Sequence, residues 1–381
     1  MLTRLTVQHY KSLENVDIEL GPLTVFVGRN GSGKSNIIDA IRFVRDAVRD
    51  GLDDAVTLRH GFGALQQWSN GCARDISLGI HYEGAVREGY SSGRFFFSLR
   101  QKEDGYEVHR EVDSYRHAYG GDVDFSISSV RRGNRFIILS PERPCERDVV
   151  YVSPHELLMS LPRGEATGFM FNFADSEFYS IFPNTLREPQ KISHSDDLSP
   201  HGGNLASILR RMTLRRDRAE LNEIEDLMRS ILPRLERITV DSLGGYIVPR
   251  FLMREESGEE HFFDVNHLSD GTLRILGILT ALYHDPGPRT IALEEPELTI
   301  HPGALPLLAD AMKEAAKRRQ VIITTHSPDL IDQFDPKDVR IVEMDGRGVT
   351  SVAPLSQDQM QSVKEHLFTL GQLMSIEGLR S

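Results

Sequence analysis

Cysteine is nearly absent: Cys72 and Cys145 are the 2 in a chain of 381 residues. That is too few for a disulfide framework or a cysteine-built zinc site, and it suits a reducing compartment. Long apolar runs are also missing. The best window, Leu273 to Tyr283, is shorter than the ~18 residues of a membrane span and contains Arg274. The opening Met1-Leu2-Thr3-Arg4-Leu5-Thr6-Val7 alternates like a strand and has no apolar core of a signal peptide. A cytoplasmic protein without membrane contact is expected. Positive charge is not in excess either. With a formal net charge of −12, any contact with nucleic acid must be a local basic patch. There is no internal repeat and no sustained heptad, which excludes a coiled-coil arm. What remains is a globular composition, 39% hydrophobic and 26% charged, enough for one large domain or two ordinary ones.

Against this background one segment stands out. Gly28-Arg29-Asn30-Gly31-Ser32-Gly33-Lys34-Ser35 fits G-x-x-x-x-G-K-[ST], the phosphate-cradling P-loop. The apolar run Leu23 to Val27 before it reads as a buried strand, and Asn36 to Val44 after it has apolar residues at helical spacing. Strand, glycine loop and helix are the context this motif requires. Its glycines let backbone N–H groups curl around phosphate oxygens. Lys34 would neutralise β/γ charge, and Ser35 would offer its hydroxyl to Mg²⁺. Binding of a nucleoside triphosphate follows as the expectation.

Residues 2–9 and 15–20 read as a hairpin, followed by strand 23–27 and helix 34–49. Residues 50–70 look loop-rich, and 74–153 mostly strand, closing on Val149-Val150-Tyr151-Val152. From 154 to 200 prolines interrupt the pattern and aromatics crowd Phe169 to Phe182, as in an irregular insertion. Helices at 203–214 and 218–231 and strands over 236–265 come next. The last third alternates: helix 270–284, strand 290–294, helix 303–318, strands 320–325 and 339–343. That alternation predicts an α/β fold with a parallel sheet and packed helices.

Four further segments carry chemistry. Leu268-Ser269-Asp270-Gly271-Thr272 precedes a helix. Taken alone it fits a plain helix cap, or an anion site at a positive helix end. The buried run Thr290 to Leu293 ends in Glu294-Glu295-Pro296-Glu297, two adjacent acids where α/β sheets bind ligands. One carboxylate could hold Mg²⁺ and the next orient a water; an acidic surface turn is the other reading. Val321 to Thr325 is a second such strand, ending in His326. A lone histidine is usually structural, yet this one falls where a γ-phosphate should lie. Arg59, after the P-loop helix, could reach phosphate or sit on the surface.

Taken in order, the P-loop, Leu268 to Thr272, Glu294-Glu295-Pro296, His301-Pro302 and Thr325-His326-Ser327-Pro328 resemble the head of an ABC-type ATPase. The likeness is to the SMC/RecF/OLD branch, and within it to bacterial AAA-family predicted ATPases with an OLD-like head. Motifs run from Tyr10-Lys11-Ser12 to Pro328, most of the chain. The fold this implies is a P-loop NTPase of the ABC-head type with an antiparallel β-lobe and an inserted, partly helical subdomain. Residues 1–153 and 236–381 would form the two parts of the head and 154–235 the insertion. The resemblance implies that Asn30, Gly31, Ser32, Gly33, Lys34, Ser35 and Asn36 bind nucleotide, with Lys11, Ser12 and Arg59 nearby. Ser35 and Glu294 would hold Mg²⁺, Glu295 would be the catalytic base, and His326 would sense the γ-phosphate. Ser269, Asp270 and Gly271 stand at the ABC signature and would act on the nucleotide of a second subunit; Asp270 departs from the glycine usual there. Gln66 and Gln67 are candidates for the Q-loop glutamine; the other reading is that Val152-Ser153-Pro154-His155 occupies that place without a glutamine.

One P-loop and one signature segment imply half of a composite machine, a head-to-tail homodimer closing on two ATP molecules. Residues 329–381 after the histidine box are too few for the Toprim nuclease domain of OLD proteins. The expectation is therefore a regulatory ATPase of an anti-phage defence or genome-surveillance system, gating an effector protein in trans. The alternative is a RecF-like repair ATPase that binds DNA itself, through Arg210, Arg211, Arg215, Arg216 and Arg218 or Arg131, Arg132 and Arg135. Given the acidic balance, those arginines read more readily as a solvated helix face and loop. A nucleotide-binding scaffold that scarcely hydrolyses is a third class, opposed by Glu295 and His326.

Overall fold

The structure is a computed structural model. It describes residues 1–67, 74–86, 89–119, 122–132, 135–139, 152–157, 159, 173, 175–215, 218–376 and 378–380. Both cysteines, Arg216, Val149 to Tyr151 and, of the aromatic cluster, Phe169 and Phe171 lie outside them.

The chain opens with β1 (Leu2–Tyr10) and β2 (Leu13–Glu19), then β3 (Leu23–Val27), the P-loop and α1 (Lys34–Arg49). Two short helices follow where the glycine-rich sequence predicts a loop, α2 (Leu52–Thr57) and α3 (Phe62–Leu65). Gly51 and Gly61 start them at φ of 105° and 93°, so these glycines serve as helix entries. Next come the long strands β4 (Ile76–Val86), β5 (Gly89–Lys102), β6 (Gly105–Tyr119), β7 (Asp122–Arg132) and β8 (Arg135–Leu139). Then β9 (Ser176–Tyr179), α4 (Pro183–Arg187), β10 (Gln190–Lys191), α5 (Leu205–Leu214) and α6 (Ala219–Arg229) cross the expected insertion. The hairpin strands β11 (Leu235–Leu243), β12 (Tyr246–Arg254) and β13 (Glu260–Asp264) lead to α7 (Asp270–Tyr283) and β14 (Thr290–Glu294). The last part is α8 (Leu305–Ala315), β15 (Gln320–Thr325), α9 (Pro328–Ile331), β16 (Val339–Met344), β17 (Thr350–Pro354), α10 (Gln357–Lys364) and α11 (Leu370–Ile376).

The central sheet runs β17-β16-β3-β15-β14-β9. It is parallel except for β17, which pairs antiparallel with β16. Its inner strands β3, β14 and β15 are buried on both faces, as a covered parallel sheet demands. Successive residues enter two cores. Val25, Ile291, Leu293, Val321 and Ile323 face α7 and α8. Phe26, Ala292 and Ile322 face α1 and the antiparallel lobe β2-β1-β4-β5-β6-β7-β8. Helix α1 lies between two sheets, and that is why Ile37, Ile38, Ile41, Phe43, Val44 and Val48 are all buried. Strand β9 was not expected. Four residues inside the predicted insertion form the edge of the central sheet, with Phe178 opposite Ala292. No helix among the described residues is long and apolar enough to cross a membrane.

Candidate nucleotide site

Three neighbouring strands deliver the predicted chemistry to one end of the sheet. Val27 of β3 pairs with Thr325 of β15, and Thr324 pairs with Glu294 of β14. The P-loop, the acid pair and His326 therefore leave the carboxyl ends of adjacent parallel strands, at the crevice where such sheets bind ligands.

The loop is built by close approach. A side chain on Gly28 would strike the Val342 carbonyl at 2.2 Å, and one on Gly33 would strike Thr350 Oγ1 at 2.1 Å. Gly33 also sits at φ of 103° as the cap of α1, and Gly31 at 80°. Asn30, Gly31 and Ser35 are exposed, while Ser32 and Lys34 are buried. Lys34 Nζ donates to the carbonyls of Gly28 (2.8 Å) and Arg29 (3.0 Å). Burial lowers its pKa against the opposing pull of Glu295 and Glu297. Ser32 Oγ is buried without a hydrogen-bond partner. The donor set is right for phosphate, and the hard oxygens of Ser35 and Glu294 are of the type that suits Mg²⁺.

Ser12 and Asn36 act on the loop from behind. Asn36 Nδ2 donates to Ser12 Oγ, which shares a hydrogen bond with Thr350 Oγ1, both at 2.7 Å. Thr350 Oγ1 in turn donates to the Ser32 carbonyl at 2.9 Å. Thr350 was missed in the sequence, because only the order β17-β16-β3 brings it under the P-loop.

Lys11 and Arg59 meet on Asp39. Lys11 Nζ lies 2.5 Å from Asp39 Oδ2, and Arg59 Nε lies 2.9 Å from Oδ1. Arg59 further donates to Asp46 (3.0 Å) and the Ala55 carbonyl (3.0 Å). Its side chain is buried, so the surface reading is corrected; the guanidinium is occupied within the chain. Gln66 and Gln67 bond Gln101 and His9, both in the antiparallel lobe.

At the acid box, Glu294 Oε1 accepts from Arg42 Nη2 at 2.9 Å. Glu295 Oε1 lies 3.1 Å from His326 Nδ1. Glu295 takes a left-handed φ of 44°, costly outside glycine and concentrated at functional sites. Two contacts fix it: its N–H donates to the Thr324 carbonyl (2.9 Å), and its carbonyl accepts from Arg274 Nη2 (2.9 Å). Arg274 is 3% exposed and comes from α7, the helix that Ser269 caps. In the sequence it shows only as an interruption of an apolar run, which was its signal. Glu297 is buried and accepts from Thr325 Oγ1 (2.6 Å).

In the signature segment the structure shows the helix cap. Ser269 Oγ accepts from the Thr272 N–H (3.2 Å), and Asp270 pairs with Arg187 Nη1 (2.6 Å). A side chain on Gly271 would meet the Thr299 carbonyl at 2.6 Å. Ser269, Gly271, Thr272, Thr299, His301 and Gly303 line an open groove of about 650 Å³ that no P-loop residue borders.

A family model described as "AAA domain, putative AbiEii toxin, Type IV TA system" matches residues 23–332. The chain belongs to that family. Over 360 residues it is 25% identical to the OLD nuclease of Thermus scotoductus, covering 91% of this chain and 62% of the relative. It is 19% identical over 360 residues to endonuclease GajA of Bacillus cereus, covering 87% and 56%. The chain thus spans about three fifths of the length of these relatives. In fold it resembles an SMC head solved with the C-winged helix domain of ScpA, with a TM-score of 0.57, 16% identity and coverage of 94% and 99%. An SMC head from Pyrococcus furiosus gives a TM-score of 0.54 at 14% identity, covering 96% and 99%. The chain accordingly has the P-loop NTPase fold and belongs with the ATPase heads of the SMC/RecF/OLD branch.

Proposed function

We propose that this AAA-family protein binds ATP with Mg²⁺, hydrolyses it, and works as a nucleotide-gated homodimer in the cytoplasm. The observation that carries the dimer is the groove under Ser269: it is lined by signature residues and His301 but by none of its own P-loop. A second chain, docked head to tail, would supply the phosphates that this helix end attracts. In the proposed reaction Lys34 leaves the Gly28 and Arg29 carbonyls for phosphate oxygens. Glu295 takes the proton of the attacking water, held in place by His326 Nδ1 and by its tethered backbone. Bound Mg²⁺, held by Ser35 and Glu294, would supply charge neutralisation at the phosphates.

We assign residues 1–153 and 236–381 to the head and 154–235 to a specificity region attached through β9. The output is control of an effector in trans, in anti-phage defence or genome surveillance; the names of the OLD and GajA relatives support that setting. Direct DNA binding through the arginine run is less supported. Arg211 donates to the Ser193 and Ser195 carbonyls, Arg215 pairs with Glu220, and Arg218 with Glu225.

The test is Glu295→Gln. It should keep ATP binding, lose about 10²- to 10⁴-fold in turnover, and accumulate an ATP-dependent dimer by light scattering. Wild-type turnover in this variant would remove Glu295 as the base. A monomer at saturating ATP would remove the gated dimer.

A further inference from the structure

The helix after the P-loop carries three arginines on the face that meets β9. Arg49 Nη1 reaches Glu177 Oε1 at 3.0 Å. Arg45 Nη1 donates to the Ser176 carbonyl (2.9 Å), and its guanidinium lies 5.1 Å from the Phe178 ring centre. Arg42 lies over the same ring at 4.9 Å, but its Nη2 ends on Glu294 Oε1 at 2.9 Å. Positions 42, 45 and 49 follow helical spacing, so one stripe of α1 staples the edge strand. Only its first member touches an acid at the nucleotide end of the sheet. Phe178 holds that guanidinium because β9 pairs with β14 and sets the ring opposite Ala292, two residues before Glu294.

We propose that Arg42 is a positioning residue that restrains Glu294 and sets its affinity for a divalent cation. The inference rests on the reading of Glu294 as a metal-binding acid. Arg42 occupies one carboxylate oxygen and places a fixed positive charge where a dication must approach. The cation has to share Glu294 or displace the guanidinium, and Phe178 opposes displacement by cation–π attraction. Metal affinity is thereby tied to the position of β9, the strand that emerges from the region we assign to partner specificity. Both partners are partly solvated, with side chains 32% and 22% exposed, so the restraint is a moderate one that binding can overcome.

The experiment titrates the full chain, saturated with ADP, with Mn²⁺ and reads free Mn²⁺ by electron paramagnetic resonance. Arg42→Met should tighten Mn²⁺ binding about fivefold, the factor expected when a partly exposed ion pair is removed. Arg42→Lys should return it toward the wild-type value. Phe178→Leu should give a smaller gain in the same direction, and it serves as the test if Arg42→Met does not fold. ADP affinity in EDTA should be unchanged in all three, whereas general damage to the site would lower both affinities. Glu294→Gln should weaken Mn²⁺ binding about tenfold or more. Equal or weaker Mn²⁺ binding by Arg42→Met, with Glu294→Gln behaving as expected, overturns the restraint. No effect of Glu294→Gln overturns the metal assignment itself and the restraint with it.

Discussion

Thr350→Val tests how the P-loop is held. The hydrogen bonds behind the loop have a forced direction, because each hydroxyl has one proton. Asn36 Nδ2 donates to Ser12 Oγ, and Thr350 O–H is used on the Ser32 carbonyl, so Ser12 O–H must donate to Thr350. Valine keeps the shape of threonine but neither gives nor accepts a hydrogen bond. The substitution leaves the Ser32 carbonyl without its donor and the Ser12 hydroxyl without its acceptor. Thr350 is 2% exposed and Ser32 5%, so water cannot easily replace the lost partner. Leaving buried polar groups unpaired costs about 1–3 kcal/mol. A midrange cost of about 2 kcal/mol, partly expressed as loosening of the loop, should weaken nucleotide binding about tenfold. Thermal unfolding and a titration with a fluorescent ATP analogue measure the two parts. Thr350→Ser, which keeps the hydroxyl, should recover most of both. Ser12→Ala combined with Thr350→Val should cost less than the sum of the single changes, because either one breaks the same chain. Nucleotide affinity within twofold of wild type in Thr350→Val, or strict additivity in the pair, would refute the argument.

Two further outcomes follow from buried charges. Arg274→Met removes the donor on the Glu295 carbonyl and the cation facing Glu297; single-turnover hydrolysis should fall about 10²-fold through misplacement of the base, with ATP affinity nearly unchanged. Equal losses in both measurements would show that Arg274 supports the whole domain instead. Burial and the nearby Asp197 charge push the Asp175 carboxyl up to about 6. Its folded value lies above its unfolded one, so the folded state gains stability as pH falls from about 6 toward 4 and loses it as pH rises through that window. Asp175→Asn should therefore raise the thermal midpoint at pH 8 and change it little at pH 4; a lower midpoint at pH 8 would contradict the assignment.

The elements that carry the site were legible because parallel strands covered on both faces are written as apolar runs with abrupt polar ends. Strands at 23–27, 290–294 and 320–325 and the helix 34–49 were expected with the bounds found. Other features left no local trace. Ser176–Tyr179 is four residues long, carries Glu177, and becomes a strand only because β14 offers it a free edge. Short α2 and α3 sit among glycines that look like loop punctuation until their φ angles show them to be helix entries. Thr350 belongs to the peripheral pair β16–β17 and acquires a role only through the order of strands in the sheet. Residues that reach the nucleotide end along a strand can be read from sequence; residues that reach it across the sheet cannot.

Lys11 and Arg59 show how far a resemblance carries without geometry. Both were expected near nucleotide, and both converge on Asp39, which Tyr10 O–H also reaches at 2.6 Å. Burial works to raise the Asp39 carboxyl, yet Arg59, Lys11 and Tyr10 together hold it below the usual carboxylate range. Asp39 stays ionised at neutral pH, and each donor that leaves it weakens what holds it so. Arg59 would abandon Asp39, Asp46 and the Ala55 carbonyl at once, with its side chain only 8% exposed. Breaking a buried pair of that kind costs about 3–5 kcal/mol. Lys11 makes a single ion pair with its side chain 29% exposed, and an exchange of partners there costs about 1 kcal/mol at most. Of the two cations, Lys11 is the more weakly held, while Arg59 fastens the end of α2 to α1 and helps keep Asp39 charged.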